Sequence, residues 1–245
     1  MIQYIYDGSF DGLLTSIYEA YYREEDIDDI VAEDSMEENF LIRRVFIATE
    51  MEKATKVYKA IEDKISEESL RRVFYSYLSE LPRHGRIILE YIRLGFKFGP
   101  QVDLNLSNDI VLKMDNIYRK VSGERHRMLG LVRFKQLENG LFYSSIEPDH
   151  NIVGLIAPYF VSRMTNENWV IHDVKRGIGA LYNGKEWIIQ DIKIKDDLLL
   201  KEEEEEYQQL WKAYFKSIAI ETKINPKLQK RCMPMRYWKH LVEKA

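Results

Sequence analysis

The sequence predicts an α+β protein: a helical N-terminal half, an antiparallel β-β-α-β-β-β sheet segment, and a C-terminal helix with a basic tail. Three observations lead there. Apolar residues recur at three- and four-residue steps from Thr49 to Val121, the period of helices with one buried face. From Gly130 that period gives way to short apolar runs punctuated by Asn139-Gly140 and Asn183-Gly184, which are two-residue hairpin turns. After Lys195 a polar connection leads into Glu203–Thr222 at helical spacing, and then into a stretch of cations, aromatics and prolines. The change near Gly130 separates a mainly helical region, 1–128, from a sheet-bearing region, 129–245, unless the two form one integrated domain.

Taken in order, residues 2–6 alternate as a short strand, and Asp7-Gly8-Ser9 turns the chain. Leu13, Leu14, Ile17, Tyr18 and Tyr21 mark a helix over Phe10–Tyr22, with Ser9 or Asp11 as its cap. Phe40–Ile47 is short, apolar and β-rich, a second strand. Thr49 and Glu52 have capping-box spacing and open a helix buried through Ala54, Val57, Ile61 and Ile65. Ser66 opens the next helix. Pro82 interrupts, and a third helix through Ile87, Ile88, Tyr91 and Ile92 ends in Gly95–Pro100. A fourth runs from Asn108 to Val121. Leu131–Leu137 and Leu141–Ile146 form a hairpin around Glu138-Asn139-Gly140. Pro148 and Asp149 introduce a helix from Ile152 to Met164. Trp169–His172, Ile178–Tyr182 and Trp187–Ile192 are strands.

A chain of 245 residues can bury a real core as one large domain or two smaller ones. Its 45% hydrophobic and 31% charged residues exclude a disordered polymer. The single cysteine, Cys232, excludes an internal disulfide and any multi-cysteine metal site supplied by this chain alone. No positive n-region precedes an apolar stretch, and no apolar run approaches the roughly twenty residues that span a bilayer. A soluble, cytoplasmic protein with no membrane partner is expected. Phosphate-loop, dinucleotide-binding, nucleophile-elbow and zincin motifs are absent, and His84, His126, His150, His172 and His240 lack metal spacing. No cofactor or metal is expected.

Charge is unevenly distributed. Between Glu19 and Glu38 lie Glu19, Glu24, Glu25, Asp26, Asp28, Asp29, Glu33, Asp34, Glu37 and Glu38, against Arg23 alone. From Trp211 onward, Lys212, Lys216, Lys223, Lys227, Lys230, Arg231, Arg236, Lys239 and Lys244 face Glu221 and Glu243. Nine minus two leaves +7 at the end of a chain whose formal net charge is −4. Cations neutralise phosphates and flat rings stack on bases, so this mixture suits a nucleic-acid partner. Trp211, Tyr214, Phe215 and Ile218 share a helix face as core anchors, leaving Lys212 and Lys216 on another, exposed one. Lys227, Lys230, Arg231, Arg236 and Lys239 would extend the phosphate path, with Tyr237 or Trp238 against a base. Arg133 and Arg176 either continue that path or serve the fold, Arg133 pairing with a carboxylate of the helical half and Arg176 with Asp173.

Two other uses compete. His150 beside Asp149 at a helix start, Asp173 at a strand end and Arg163 a helix away could form an acid–base site with an anion clamp, acting on a nucleobase or nucleotide. Asp149 could equally cap the helix and His150 stabilise its first turn. The acidic Glu19–Glu38 segment could instead dock a basic protein, making the chain a scaffold.

Tyr6-Asp-Gly-Ser-Phe-Asp-Gly12, Gly130-Leu-Val-Arg-Phe134, Glu147-Pro-Asp-His150, Trp169-Val-Ile-His-Asp173 with Arg176-Gly177, Asn225-Pro-Lys-Leu-Gln229 and Met233-Pro-Met-Arg-Tyr-Trp238 occur together in this chain. In combination they resemble a bacterial DNA-metabolism or DNA-repair family encoded beside a radical-SAM partner and sometimes fused to a uracil-DNA-glycosylase-like domain. The resemblance spans nearly the whole chain. It implies a DNA-binding repair accessory whose partners are DNA and a radical-SAM protein, and it assigns no catalytic residue.

Overall fold

Ser9 and Asp7 shape the first turn. The Ser9 backbone N–H and hydroxyl both donate to Asp7 Oδ1, at 2.9 and 2.6 Å, and Ser9 Oγ accepts from Gly12 N at 2.9 Å. That closes β1 (Ile2–Tyr6) and caps α1 (Phe10–Tyr22) as the sequence predicts. The computed structural model describes residues 2–23, 25–36, 41–193, 200–223 and 225–244. Phe40, the predicted start of the second strand, lies outside them, as do Lys195 and Glu24, Glu37 and Glu38 of the acidic run.

The chain forms two compact units, 1–122 and 123–245. In the first, β1 is the central strand of a parallel sheet, flanked by β2 (Ile27–Ala32) and β3 (Arg43–Phe46). Tyr4, Ile5 and Tyr6 are all buried, which is the pattern of a parallel strand covered on both faces. The predicted strand at Phe40–Ile47 is thus present as β3, whereas the sequence predicts no strand at β2. Its Asp28 and Asp29 lie inside the acidic run, which masks the apolar signal of Ile27, Ile30 and Val31.

Asp29 offsets its burial by capping another element. Its Oδ1 accepts from Arg86 N and Ile30 N, both at 2.9 Å, and burial pushes its pKa above the ordinary carboxylate value. Arg86 sits in the first turn of α4 (His84–Phe98), a helix whose own N-cap, Arg83, supplies no side-chain bond. Gly85 allows the approach: a Cβ there would stand 2.0 Å from the Ile30 carbonyl oxygen.

The other helices of this unit are α2 (Met51–Lys64) and α3 (Glu67–Leu78), with α5 (Asp109–Leu131) running on into the second unit. Ser66 caps α3 through Ser69 N at 3.0 Å, as expected. Thr49 does not cap α2. Its hydroxyl donates instead to Asp7 Oδ2 at 2.8 Å, tying β1 to the start of α2, and Glu50 takes the N-cap position. α4 ends within the predicted Gly95–Pro100 stretch, at the positive-φ C-cap Gly99, while Gly95 lies inside the helix, where a Cβ would press on Ile65 Cδ1 at 2.3 Å.

The second unit holds β4 (Lys135–Gln136), β5 (Phe142–Ile146), α6 (Val153–Arg163), β6 (Asn168–Asp173), β7 (Ile178–Asn183) and β8 (Trp187–Asp191). The strand and helix order is the predicted one, and the protein is α+β. The sheet, in the order β4-β5-β6-β7-β8, is mixed rather than antiparallel, because β5 and β6 run parallel. The helix between them carries the chain back to the same end of the sheet, as a crossover must. β4 is shorter than predicted because α5 continues through Leu131. Phe134, Phe160, Trp169 and Tyr182 form an aromatic core between α6 and one sheet face, with ring centroids 5.4–6.4 Å apart. The chain ends with α7 (Glu204–Ser217), α8 (Pro226–Cys232) and a 3-10 segment over Met235–His240. No helix among the described residues is long and apolar enough to cross a membrane.

Gly85→Ala should lower stability by about 2 kcal/mol, since a backbone atom cannot step aside. Gly95→Ala, whose Cβ meets the Ile65 side chain rather than backbone, should cost less, about 1 kcal/mol. Urea unfolding midpoints of the two variants check the contrast.

Candidate nucleic-acid interface and a polar cleft

Asn225 and Pro226 begin a helix rather than end one. The Asn225 side chain accepts from Leu228 N at 3.0 Å and Pro226 takes the first helical position. α7 therefore stops at Ser217, short of the predicted Thr222. Lys227, Lys230 and Arg231, at steps of three and four, share one face of α8 and are exposed. Lys216 is exposed on α7, one turn from the half-buried Lys212. Among the described residues, Lys216, Lys227, Lys230 and Arg231 form no ion pair. Lys216, Lys227, Lys230 and Arg231 are exposed as the sequence leads one to expect, and Lys212 is less so.

The remaining predicted contact residues have partners within the fold, although Arg236 and Lys239 stay exposed. Arg133 donates to both oxygens of Glu243, at 3.2 and 2.7 Å, and its guanidinium lies 5.1 Å from the Trp211 ring centroid. Burial works against the Glu243 carboxylate, yet hydrogen bonds from Arg133 and Trp211 hold it below the ordinary range. Arg133 thus pairs with a carboxylate of the tail, not of the helical half. Arg236 pairs with Asp149 Oδ2 at 2.5 Å, and Lys239 with Glu147 Oε2 at 2.6 Å. Tyr237 is 1% exposed, so it offers no face to a base. Trp238 is half-buried, donates to the Met233 carbonyl at 2.9 Å and has Lys244 4.8 Å from its ring centroid.

The expected core anchors of α7 also move outward. Trp211, Tyr214 and Ile218 are exposed, and Phe215 is half-buried beneath Lys244. With Tyr207 and Leu210 they make an exposed apolar row at three- and four-residue steps. Lys212 and Lys216 occupy a different face.

Of the predicted acid–base residues, His150 and Asp173 are buried and Arg163 is exposed. Asp173 is fully buried; burial raises its pKa, and Arg176 opposes that shift from 2.7 Å. Arg176 also donates to the carbonyls of Pro148 and Asp149, at 3.2 and 2.9 Å. It is a clamp on the 148–149 segment, not an open phosphate ligand. Arg163 lies exposed at the end of α6 over Tyr159. Asp149 does not cap α6, whose N-cap is Ile152.

Beneath this network lies Glu124, which no local sequence signal singles out. It is 1% exposed, and its oxygens accept from Asp149 N at 2.8 Å, from His150 N at 2.9 Å and from the Tyr237 hydroxyl. One carboxylate therefore joins the end of α5, the Pro148–His150 segment and the tail.

The opposite sheet face carries a second cluster. Strand alternation puts Tyr143, Ser145 and Glu147 on one side, and the register sets Ser145 beside His172 and Lys135 beside Tyr143. Tyr143 Oη lies 2.8 Å from His172 Nδ1, and Ser145 Oγ lies 3.0 Å from His240 Nδ1. Arg133, Lys135, Tyr143, Ser145, Leu200 and His240 line a cleft of about 180 Å³. Burial lowers the pKa values of both His172 and His240, so the rings are neutral at neutral pH. Serine, histidine and Glu147 stand in the order of a nucleophile relay. Glu147 Oε1 is 3.5 Å from His240 Nε2, however, and that nitrogen makes no hydrogen bond; the ion-pair distance reflects proximity alone. The alternation of Tyr143 and Ser145 is legible in the sequence, but nothing local places His240 beside them. Among the described residues no group of three His, Cys, Asp or Glu side chains is placed to hold a metal.

A mixed-sheet unit closed by a cationic helical tail is thus the class of protein that the fold and these clusters define. Residues 82–243 match the model of a family described as a domain of unknown function, DUF4130, and the chain belongs to that family. No curated protein matches the chain.

Glu124→Ala should cost about 3 kcal/mol or more, because it strands two backbone N–H groups and a phenol away from water. Tyr237→Phe removes one donor and leaves the others paired, for about 1 kcal/mol. Thermal unfolding followed by tryptophan fluorescence should rank them in that order.

Proposed function

We propose that this protein is a DNA-binding accessory in DNA repair or DNA metabolism, acting beside a radical-SAM enzyme. One observation carries the binding half: Lys216, Lys227, Lys230 and Arg231 reach solvent without a carboxylate partner among the described residues, while the other predicted cations are held by the fold. Unpaired exposed cations release counterions from a phosphate backbone with little effect on stability. The accessory half rests on the resemblance to the DNA-metabolism family and gains support from the apolar row on α7. Tyr207, Leu210, Trp211, Tyr214 and Ile218 lie off the lysine face of that helix, so a protein partner and a DNA strand need not compete for it.

The enzymatic alternative through His150, Asp173 and Arg163 is less favoured, since Asp173 and Arg176 neutralise one another within the fold.

Fluorescence anisotropy with a labelled duplex should show affinity falling steeply with salt. Replacing Lys216, Lys227, Lys230 and Arg231 with Gln should flatten the log–log slope by about 0.9 for each phosphate that is no longer neutralised. A salt-independent titration, or unchanged binding by the quadruple variant, would overturn the reading. Leu210→Asp with Tyr214→Asp should leave DNA affinity intact. The same pair should abolish nuclease-resistant co-purification with the radical-SAM partner.

A further inference from the structure

We propose that the cleft between β4, β5 and the 3-10 segment Met235–His240 is a receptor for a phosphate monoester, and that its ligand is the terminal 5′-phosphate of a nucleic-acid strand. The polymer rests on the function proposed above; the phosphate chemistry rests on the cleft alone.

Five of the six lining residues, Arg133, Lys135, Tyr143, Ser145 and His240, carry hydrogen-bond donors, and none is a carboxylate. Of the two nearby carboxylates, Glu243 is held by Arg133 and Trp211 and Glu147 by Lys239, its other oxygen standing 3.5 Å from His240 Nε2. Lys135 is half-buried and forms no ion pair among the described residues. A half-buried ammonium that lacks a counter-charge favours an anion. Arg133 commits its Nε–H, both Nη1–H groups and one Nη2–H to Glu243 and two carbonyls, which leaves one of its five N–H groups to point elsewhere.

The hydroxyls supply the rest. Burial raises the Tyr143 pKa, so the phenol keeps its proton. With the His172 proton on Nδ1, that nitrogen donates to Tyr143 Oη and frees the phenol hydrogen for a ligand. His172 is 6% exposed, and its Nε2 is buried without a hydrogen bond, as is Nε2 of His240. These two rings are thus incompletely satisfied on either side of the Tyr143–Ser145 edge. A dianion in the cleft would favour protonation of His240, whose burial otherwise keeps it neutral.

Size and charge select the monoester. About 180 Å³ is the room of about six waters, enough for a phosphoryl group and part of a sugar but not for a base pair. A monoester brings close to two negative charges and three strong acceptor oxygens, which Lys135, Tyr143 and Ser145 can meet together. A backbone diester brings only one charge and continues in both directions, so it presents the cleft with less charge and more bulk than a chain end.

The test uses the full chain and single strands labelled at the 3′ end, identical except for a 5′-phosphate or a 5′-hydroxyl. Wild type should bind the phosphorylated strand about tenfold more tightly, the worth of one charge-assisted hydrogen bond. Lys135→Met with Ser145→Ala should reduce that ratio to one while leaving affinity for the 5′-hydroxyl strand unchanged, with thermal midpoints confirming the fold. The α7–α8 quadruple Gln variant should weaken both strands alike and keep the ratio. A ratio of one in wild type that binds both strands overturns the proposal. If neither strand binds, the DNA reading has failed by itself, and calorimetry with a 5′-mononucleotide decides the cleft. Binding that the Lys135/Ser145 variant loses retains the monoester site with a free nucleotide as its ligand, and no binding overturns it.

Discussion

Glu124 poses a problem that any stable arrangement of the second unit has to solve. A carboxylate that is 1% exposed is tolerated only where donors replace the water it has lost. Two of those donors are consecutive backbone N–H groups, of Asp149 and His150, and the third is the hydroxyl of Tyr237. The chain must therefore bring the loop after β5 and the residues after α8 to the last turns of α5. Arg176 then secures the same loop from the other side, through the carbonyls of Pro148 and Asp149 and the buried carboxylate of Asp173. Arg236, next to Tyr237, closes the circuit on Asp149. The Glu147-Pro-Asp-His150, His172-Asp173, Arg176 and Arg236-Tyr237 segments are one connected structure, and its first role is architectural.

That circuit explains which cations remain available. A buried guanidinium requires a carboxylate or carbonyls within reach, and Arg133 and Arg176 each take both. Lysines on an exposed helix face carry no such obligation, because water solvates the ammonium and its stem can lie along the surface. Lys216, Lys227, Lys230 and Arg231 belong to that second kind. In the tail, pairing rather than burial sets the boundary: the exposed Arg236 and Lys239 are tied to Asp149 and Glu147, and Lys216, Lys227, Lys230 and Arg231 form no ion pair among the described residues. At the cleft the two regimes meet, with Arg133 committed to Glu243 and Lys135, beside it on the sheet edge, uncommitted.

Much of this is legible locally. Ser9 and Ser66 cap the helices their positions imply, Asn139-Gly140 and Asn183-Gly184 turn the chain, and the period change around Gly130 separates helical from sheet-bearing sequence. Local signals fail where a distant partner outweighs them. Thr49 has capping-box spacing but bonds to Asp7. Ile27–Ala32 looks like a solvated acidic run, yet Asp29 goes inside because α4 offers it a first-turn hydrogen bond and close approach at Gly85. Periodicity alone makes the α7 aromatics a core face, and it identifies a face without saying what covers it.

The sequence by itself determined the α+β class, the β-β-α-β-β-β order of the second unit, and the cationic character of the C-terminal segment. These follow from short-range periodicity, turn chemistry and net charge, all properties of neighbours along the chain. Tertiary structure alone decided the parallel pairing of β5 with β6, the burial of Glu124 and Tyr237, and the meeting of Ser145 with His240. Each of these depends on residues far apart in sequence that are brought together by the need to satisfy buried polar groups and cover apolar surface. Pattern reading has no access to that requirement until the fold supplies the neighbours.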